Sequence, residues 1–267
     1  MIICKSSAEI ERMRVANALV AEILEALESA VGPGVTTKHL DELADQMIQK
    51  AGAVSAFKGY RGYPATLCAS INEQVVHGIP SNRQLVEGDI VSLDMGVLLD
   101  GFYGDSGITV GVGDIDSDVA KLLAVTKESL ALAISKVHVG SRLSDLGHAV
   151  QSHVEANGFS VVREFVGHGI GTSLHEEPQI PNYGEPGRGP RLAEGMVLAI
   201  EPMVTLGEPG VKVLDDGWTA VTSDGSLSAH FEHTVVVTAV EPEILTARKE
   251  ALKASGDGVQ MFEAFSG

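Results

Sequence analysis

Cysteine is scarce in this chain of 267 residues, which contains only Cys4 and Cys68. Two thiols are too few for the disulfide framework that small secreted proteins require. The opening segment MIICKSSAEIERMR also lacks the long apolar stretch of a signal peptide. We therefore expect reduced thiols and a cytoplasmic location.

Basic residues are also few. Only 19 Lys and Arg stand against 36 Asp and Glu, for a formal net charge of -17. The clustered cations that contact phosphates are missing, which argues against binding to DNA or to anionic membranes. No window of the sequence is long and apolar enough to cross a membrane. With 44% hydrophobic residues, the chain can still bury one large core or two fused halves.

The spacing of apolar residues predicts four helices. Ser6 and Glu9 match a capping box and begin a helix that the GPG at 32–34 ends. Further helices are predicted over 37–50, 116–138 and 143–156. Two helices followed by strand-like segments thus occur twice along the chain.

Self-comparison of the chain indicates an internal duplication. A shift of 106 aligns Leu40 with Leu146, and a shift of 107 aligns Asp94 with Glu201. A shift of 127 aligns DSGITV at 105 with EHTVVV at 232, so the second hairpin holds about 20 extra residues. Matching acidic residues at matching places argue against chance.

These patterns predict a mixed α/β (α+β) fold with antiparallel sheet. We expect one catalytic domain over 1–267, with two halves at about 6–112 and 113–245 related by a pseudo-twofold axis. A functional site between the halves follows, because clefts form where such units meet. The C-terminal tail, 246–267, shows weak helical character interrupted by Gly and Ser.

Five residues of metal-binding type stand in strand-like contexts: Asp94, Asp105, His168, Glu201 and Glu232. Four converging carboxylates would repel one another and lose hydration, and a pair of divalent cations would compensate. Oxygen donors with one imidazole and no thiolate favour manganese, iron, cobalt or zinc. The pattern therefore indicates a central dinuclear metal site.

The dipeptide Asp100-Gly101 predicts a tight hairpin turn. In that register Asp94 faces Gly107. Asp105 then lies on the same face as Asp94, as a diagonal neighbour about 7–8 Å away. The two carboxylates are expected to be close enough to share metal ions.

Seven motifs between about Ile10 and Leu245 together resemble the type I methionine aminopeptidases. These are metallopeptidases of the pita-bread fold that remove the initiator methionine from new proteins. The motifs are HGIP at 77–80, DGFYGDS at 100–106, GHGIG at 167–171, HEEPQIPNYG at 175–184, IEPMV at 200–204, DGWT at 216–219 and EHTVVVT at 232–238.

The resemblance implies a role for each catalytic residue. Asp105 and Glu232 would bridge two metals, and a metal-bridging hydroxide would attack the first peptide bond. Glu201 would carry the proton from this water to the leaving amine. His175 would donate to the developing oxyanion, and His77 would contact the scissile amide.

The resemblance also implies a pocket for the methionine side chain, where aromatic rings and sulfur suit a thioether. Two positions depart from the family pattern: Phe57 stands where a smaller residue is usual, and Leu174 where an aromatic is usual. His230 likewise replaces a glutamine. The expected lining is Tyr60, Tyr63, Cys68, Leu174 and Trp218.

The implied substrate is the N-terminus of a peptide or nascent protein that begins with methionine and a small second residue. Transient ribosome association and a monomeric state are also expected.

Two other hypotheses stay open. The first is a related metallopeptidase that prefers another first residue or an Xaa-Pro bond, and the second is a non-catalytic binding protein on the same scaffold. The GDSG at 104–107 also occurs in trypsin-like serine proteases, but those are secreted, disulfide-bearing β-barrels with histidine and aspartate upstream of the serine. The expected helices and the two lone cysteines argue against that class.

Overall fold

The computed structural model describes residues 1–248. Within them, four α-helices are present, and the bounds predicted for the first, second and fourth are confirmed. At the first helix, Ser6 and Glu9 form the expected capping box. The helices are α1 (Ser7–Ala30), α2 (Thr37–Lys50), α3 (Ser117–Ile134) and α4 (Leu143–Ala156), and a 3₁₀ turn spans Tyr60–Gly62.

The predicted end of the third helix is wrong by four residues. Val137 is buried and continues the apolar spacing of α3, which led the prediction onward to residue 138. The chain instead leaves the α-helix at Ser135, because the amides of Lys136 and Val137 bond to carbonyls three residues back. Apolar spacing alone cannot separate a last helical turn from a buried turn of this kind.

The fifteen strands of the described residues pair antiparallel, as predicted. Most are short, and β4 and β5 are the longest. They are β1 (Val54–Ser55), β2 (Cys68–Ile71), β3 (Gln74–Val76), β4 (Ile90–Leu99), β5 (Phe102–Gly111), β6 (Ser160–Val161), β7 (Gly167–Gly169), β8 (Glu176–Ile180), β9 (Val197–Ile200), β10 (Met203–Thr205), β11 (Val211–Val213), β12 (Ala220–Thr222), β13 (Ser228–His230), β14 (His233–Val236) and β15 (Glu243–Ile244).

Two sheets carry the central part of the molecule. The first contains β1, β4 and β2, with β5 paired to β4, and the second runs β15-β14-β9-β7-β8. In the hairpin β4–β5, Asp94 lies opposite Gly107, which confirms the predicted register. A bridge between Gly107 and Glu232 joins the two sheets, and the Glu232 amide donates to the Gly107 carbonyl at 2.8 Å.

The predicted offsets recur in the element bounds. α4 begins and ends 106 residues after α2, and β6 follows β1 by the same number. The long strand β4 corresponds to two short strands, β9 and β10, separated at Glu201-Pro202, where proline lacks the amide that a continuous ladder needs. Residues 206–227, which include β11 and β12, are the insertion expected in the second hairpin. The division into two halves stays a prediction.

Helix α1 packs directly on the hairpin that carries Asp94 and Asp105. A Cβ at Gly104 would lie 3.0 Å from the backbone of Ala16 and Asn17, so only glycine permits this approach. Leu24 and Leu27 of α1 are fully buried, and the burial of each stabilises the fold by about 1.5–3 kcal/mol. The helix thus fixes the hairpin that positions the site.

No helix in the described part of the chain is long and apolar enough to span a bilayer. Most of the predicted tail, 249–267, lies outside the described residues. Its first residue, Thr246, is buried, and its hydroxyl lies 2.9 Å from Nδ1 of His233.

Candidate metal centre and substrate cavity

The structure brings the five predicted metal ligands together at one cavity of about 170 Å³. Asp94 and Asp105 come from β4 and β5, and His168 comes from β7. Glu201 directly follows β9, and Glu232 directly precedes β14. Elements far apart in sequence therefore supply one cluster.

The distances within this cluster suit a shared cation. One ligand atom each from Asp105, His168 and Glu232 lie within 4.8 Å of one another. Nε2 of His168 is 3.8 Å from Oδ2 of Asp105 and 3.6 Å from Oε1 of Glu201. These separations are too long for hydrogen bonds, but they leave room for an ion between the donors.

His168 presents a lone pair to the cluster. Its Nδ1 lies 2.9 Å from the carbonyl of Gly169, so Nδ1 carries the proton and Nε2 is bare. Burial, with the charge of His175 as a second cause, lowers the pKa of His168 to about 4. The ring is therefore neutral at neutral pH, as a metal ligand must be.

The acidic residues fit a divalent cation because they lack other partners. Oδ1 of Asp94, Oδ1 of Asp105 and Oε1 of Glu232 are buried without a hydrogen bond. Burial raises the pKa of Asp94 to about 7. It also raises the pKa values of Asp105, Glu201 and Glu232, and the neighbouring carboxylates add to each shift. Cations would supply the missing contacts and restore the charged forms.

Hydrogen bonds to the backbone hold the ligands in place. The hydroxyl of Ser106 donates to the carbonyl of Glu232 at 2.6 Å, and the hydroxyl of Thr234 donates to the carbonyl of Asp105 at 2.7 Å. The side-chain amide of Asn182 donates to the backbone carbonyl of Glu201 at 2.9 Å. The two halves of the cluster are thereby tied to each other.

His77 and His175 line the same cavity. The backbone of His77 is in the left-handed region, with φ of 60°, and its ring meets Phe165 edge-on at 5.4 Å. The ring of His175 lies 4.3 Å from that of His168, centroid to centroid. The Tyr60 hydroxyl is 2.8 Å from Nδ1 of His175. His175 therefore borders the metal-binding cluster, and His77 lines the cavity that contains it.

The five predicted pocket residues also line this cavity. Tyr63 and Trp218 meet edge-to-face at 5.1 Å, and the Tyr63 hydroxyl is fixed by the carbonyl of Gly78 at 3.0 Å. Burial raises the pKa of the Cys68 thiol, so this cysteine is an apolar lining group and not a nucleophile. Phe57, the predicted departure, also lines the cavity, so a ring is present despite Leu174.

Arg61 is a cavity residue that the sequence analysis did not identify. Its backbone φ is 49°, and its guanidinium lies 5.4 Å from the centre of the Tyr60 ring. A basic residue inside GYRGYP, between two glycines that allow a tight turn, was the available signal.

Comparison with known proteins identifies the class. Residues 11–239 match the model of metallopeptidase family M24, and the chain belongs to this family. Curated relatives named methionine aminopeptidase include one from Clostridium perfringens, 54% identical over 93% of this chain and 100% of its own length. Methionine aminopeptidase 1 from Bacillus subtilis is 52% identical over 92% of this chain and 99% of its own length.

A solved structure agrees. The crystal structure of methionine aminopeptidase from Thermotoga maritima superposes with a TM-score of 0.92 at 48% identity, and covers 93% of this chain and 100% of its own. The resemblance drawn from the motifs is thereby confirmed, together with the pita-bread fold that it implied.

Proposed function

We propose that this chain is an aminopeptidase that hydrolyses the first peptide bond of peptides and new proteins beginning with methionine. The observation that carries the proposal is a single cavity in which four carboxylates and His168 adjoin an apolar recess. Relatives that are 54% and 52% identical, and named methionine aminopeptidase, support the same activity.

Asp94, Asp105, His168, Glu201 and Glu232 would hold two divalent cations. Four carboxylates carry four negative charges when ionised, and two such cations would neutralise them. Manganese, iron, cobalt and zinc all suit this donor set. When bound, divalent cations polarise a carbonyl and lower the pKa of a water molecule enough for attack at neutral pH.

Glu201 would carry the proton during the reaction. Its side chain is 14% exposed, so the carboxylate reaches both the cavity and the buried cluster. Its Oε1 lies 3.6 Å from Nε2 of His168, so the carboxylate is within reach of a water molecule at the cluster, as a group that accepts and returns a proton must be. We infer that Glu201 takes a proton from the attacking water and delivers it to the leaving amine.

His175 and His77 would bind the reacting peptide group. The Tyr60 hydroxyl occupies Nδ1 of His175, which leaves Nε2 as the donor for an oxyanion. Burial lowers the pKa of His77 to about 4, so a neutral ring meets the scissile amide. Neutral donors of this kind stabilise developing charge without binding the ground state as tightly.

The apolar recess would take the methionine side chain. Tyr63 and Trp218 offer ring edges and faces to a thioether, and Cys68 adds a second sulfur nearby. Compared with the family pattern, the cavity lining gains an aromatic ring at Phe57 and lacks one at Leu174. We infer that an unbranched apolar first residue remains preferred.

We further infer a cytoplasmic, monomeric enzyme whose substrates carry a small second residue. Contact with ribosomes would be transient, because a net charge of -17 opposes tight binding to RNA.

The test is methionine release from a Met-Ala-Ser peptide by metal-stripped protein resupplied separately with manganese, iron, cobalt or zinc. Release should depend on metal and should fall at least 100-fold in Glu201→Ala, because a positioned general acid/base contributes about 10²–10⁴-fold. Glu208→Ala, at an exposed position on the inserted segment, is the matched control.

Parallel assays with Leu-Ala and Ala-Pro separate the rival specificities. Metal uptake together with cleavage of Ala-Pro alone would indicate an Xaa-Pro peptidase. A protein that takes up no metal would support the binding-protein hypothesis.

A further inference from the structure

His230 has an unsatisfied polar atom beside the proposed proton carrier. The residue lies in β13 and is 1% exposed. Its Nε2 is buried without a hydrogen bond, and the other atoms in this condition among the described residues are carboxylate oxygens of Asp94, Asp105 and Glu232. Unpartnered buried polar atoms are rare in folded proteins, so an arrangement that supplies a partner is expected.

The position of His230 is fixed by a chain of hydroxyl groups. The Thr109 hydroxyl donates to the His230 carbonyl at 2.7 Å and accepts from the His230 amide at 2.9 Å. Thr109 has one hydroxyl proton, so Ser92, at 2.8 Å, must be the donor between these two side chains. Strands β4 and β5 thereby hold the backbone of His230.

Gly107 makes room for the ring. A Cβ at this position would lie 3.2 Å from Cε1 and 3.4 Å from Nδ1 of His230. Gly107 is also the partner of Asp94 in the hairpin, so the imidazole lies against the strand that carries the metal ligands. The ring is packed on one face and directed at the cluster.

The two oxygens of Glu201 face different histidines. Oε1 is 3.6 Å from Nε2 of His168, and Oε2 is 3.9 Å from Nε2 of His230. A neutral imidazole carries a single N–H, so Nε2 of His230 can donate when it holds that proton. A modest rotation of the Glu201 carboxylate would bring Oε2 within hydrogen-bond distance, about 2.9 Å.

We propose that His230 is a positioning residue whose Nε2–H donates to Oε2 of Glu201 and keeps Oε1 turned toward the metal-binding cluster. A carboxylate held by one oxygen has a defined orientation, which both metal binding and proton transfer require. The part of this proposal that concerns catalysis rests on the proposed function, and the part that concerns metal binding does not.

Two substitutions test the proposal. His230→Leu keeps an apolar side chain of similar bulk but removes the donor, and His230→Gln retains an N–H. Metal-stripped proteins are titrated with Mn²⁺ by calorimetry without substrate, and kcat and KM are measured on Met-Ala-Ser at saturating metal. His39→Leu, on the exposed face of α2, is the control.

We expect His230→Leu to weaken Mn²⁺ binding about 10–100-fold and to lower kcat about 10-fold, with KM within twofold of wild type. His230→Gln should recover both quantities to within about threefold, and the control should match wild type. Mn²⁺ affinity and kcat of His230→Leu within twofold of wild type would overturn the proposal. Equal impairment of the Gln and Leu variants would also overturn it.

A measurement on the wild-type protein reads the protonation of His230 directly and needs a variant only to assign its signal. ¹⁵N NMR of histidine side chains reports which ring nitrogen carries the proton, and the His230→Gln spectrum assigns the signal. A protonated Nε2 in the zinc-loaded protein supports the proposal, and a proton on Nδ1 alone contradicts it. If metal-loaded wild type releases no methionine, the proposed function fails while the metal titration and the NMR result still decide the role of His230.

Discussion

Removal of the metal should make the stability of this protein fall as the pH rises above 7. A carboxyl whose folded-state pKa is raised stays protonated in the folded state while the unfolded state loses its proton. Its contribution is present below the unfolded pKa near 4 and is lost as the pH rises through the folded value. Asp94, Asp105, Glu201 and Glu232 all have raised pKa values, Asp94 to about 7.

The buried histidines have the opposite effect, and they fix the pH window. Burial lowers the pKa values of His77 and His168 to about 4 and of His230 to about 3. Their contribution to stability grows as the pH rises, and it is complete just above their unfolded pKa of 6.5. Above pH 7 these histidines no longer change protonation in either state, so the raised pKa values of the carboxyls set the direction.

The magnitude follows from proton counting. Each proton that only the folded state retains lowers the free energy of unfolding by about 1.4 kcal/mol per pH unit. One proton retained over a single pH unit therefore lowers the Tm of a chain of this size by about 3–6 °C. Metal-loaded protein should not show this fall, because its ligands are already deprotonated.

Differential scanning fluorimetry from pH 7 to 8.5, on protein with metal content checked by atomic emission, measures the effect. Asp105→Asn removes one raised carboxyl, so its metal-free form should melt above metal-free wild type at pH 8.5. Asp215→Asn, at an exposed position, is the matched control and should follow wild type. A metal-free wild-type Tm that stays constant or rises over this window would refute the reasoning.

Two further predictions concern the support of the site. Tyr60→Phe removes the hydroxyl that contacts His175 and should lower kcat about fivefold with KM nearly unchanged, because one hydrogen bond contributes about 1 kcal/mol; a change confined to KM would contradict this role. Gly147→Ala, where a Cβ would overlap the carbonyl oxygen of Pro181, should cost about 1–3 kcal/mol in chemical denaturation. Gly32→Ala meets no atom within 4 Å and is its control; equal stability of the two variants would show that α4 shifts without cost.

Local signals predicted local structure well. The Ser6 capping box gave the start of α1, and the Asp100-Gly101 turn gave the register that places Asp94 opposite Gly107. Both depend on interactions within a few residues, or on a hairpin whose turn sets its pairing. The end of α3 was missed because the burial of Val137 depends on the rest of the core, not on its own helix.

The candidate site required more than local signals. The offset of 107 between Asp94 and Glu201 identified paired acidic residues, and the motifs added the histidines. No spacing rule predicted that Arg61 would line the cavity, or that Nε2 of His230 would approach Glu201 to 3.9 Å. Such contacts join residues on separate segments of the chain, and their closeness depends on how the strands and sheets pack.

The sequence by itself predicted the helices, the antiparallel hairpin, the family and the candidate metal-binding side chains, because these follow from local spacing and from motifs of residue type. Only the tertiary structure decided the chemical state of those side chains. The bridge between Gly107 and Glu232 joins the two sheets beside this cluster, in which Asp105 and Glu232 are buried. The raised pKa values of the carboxyls follow from that burial, because desolvation and charge repulsion depend on distance in space and not along the chain.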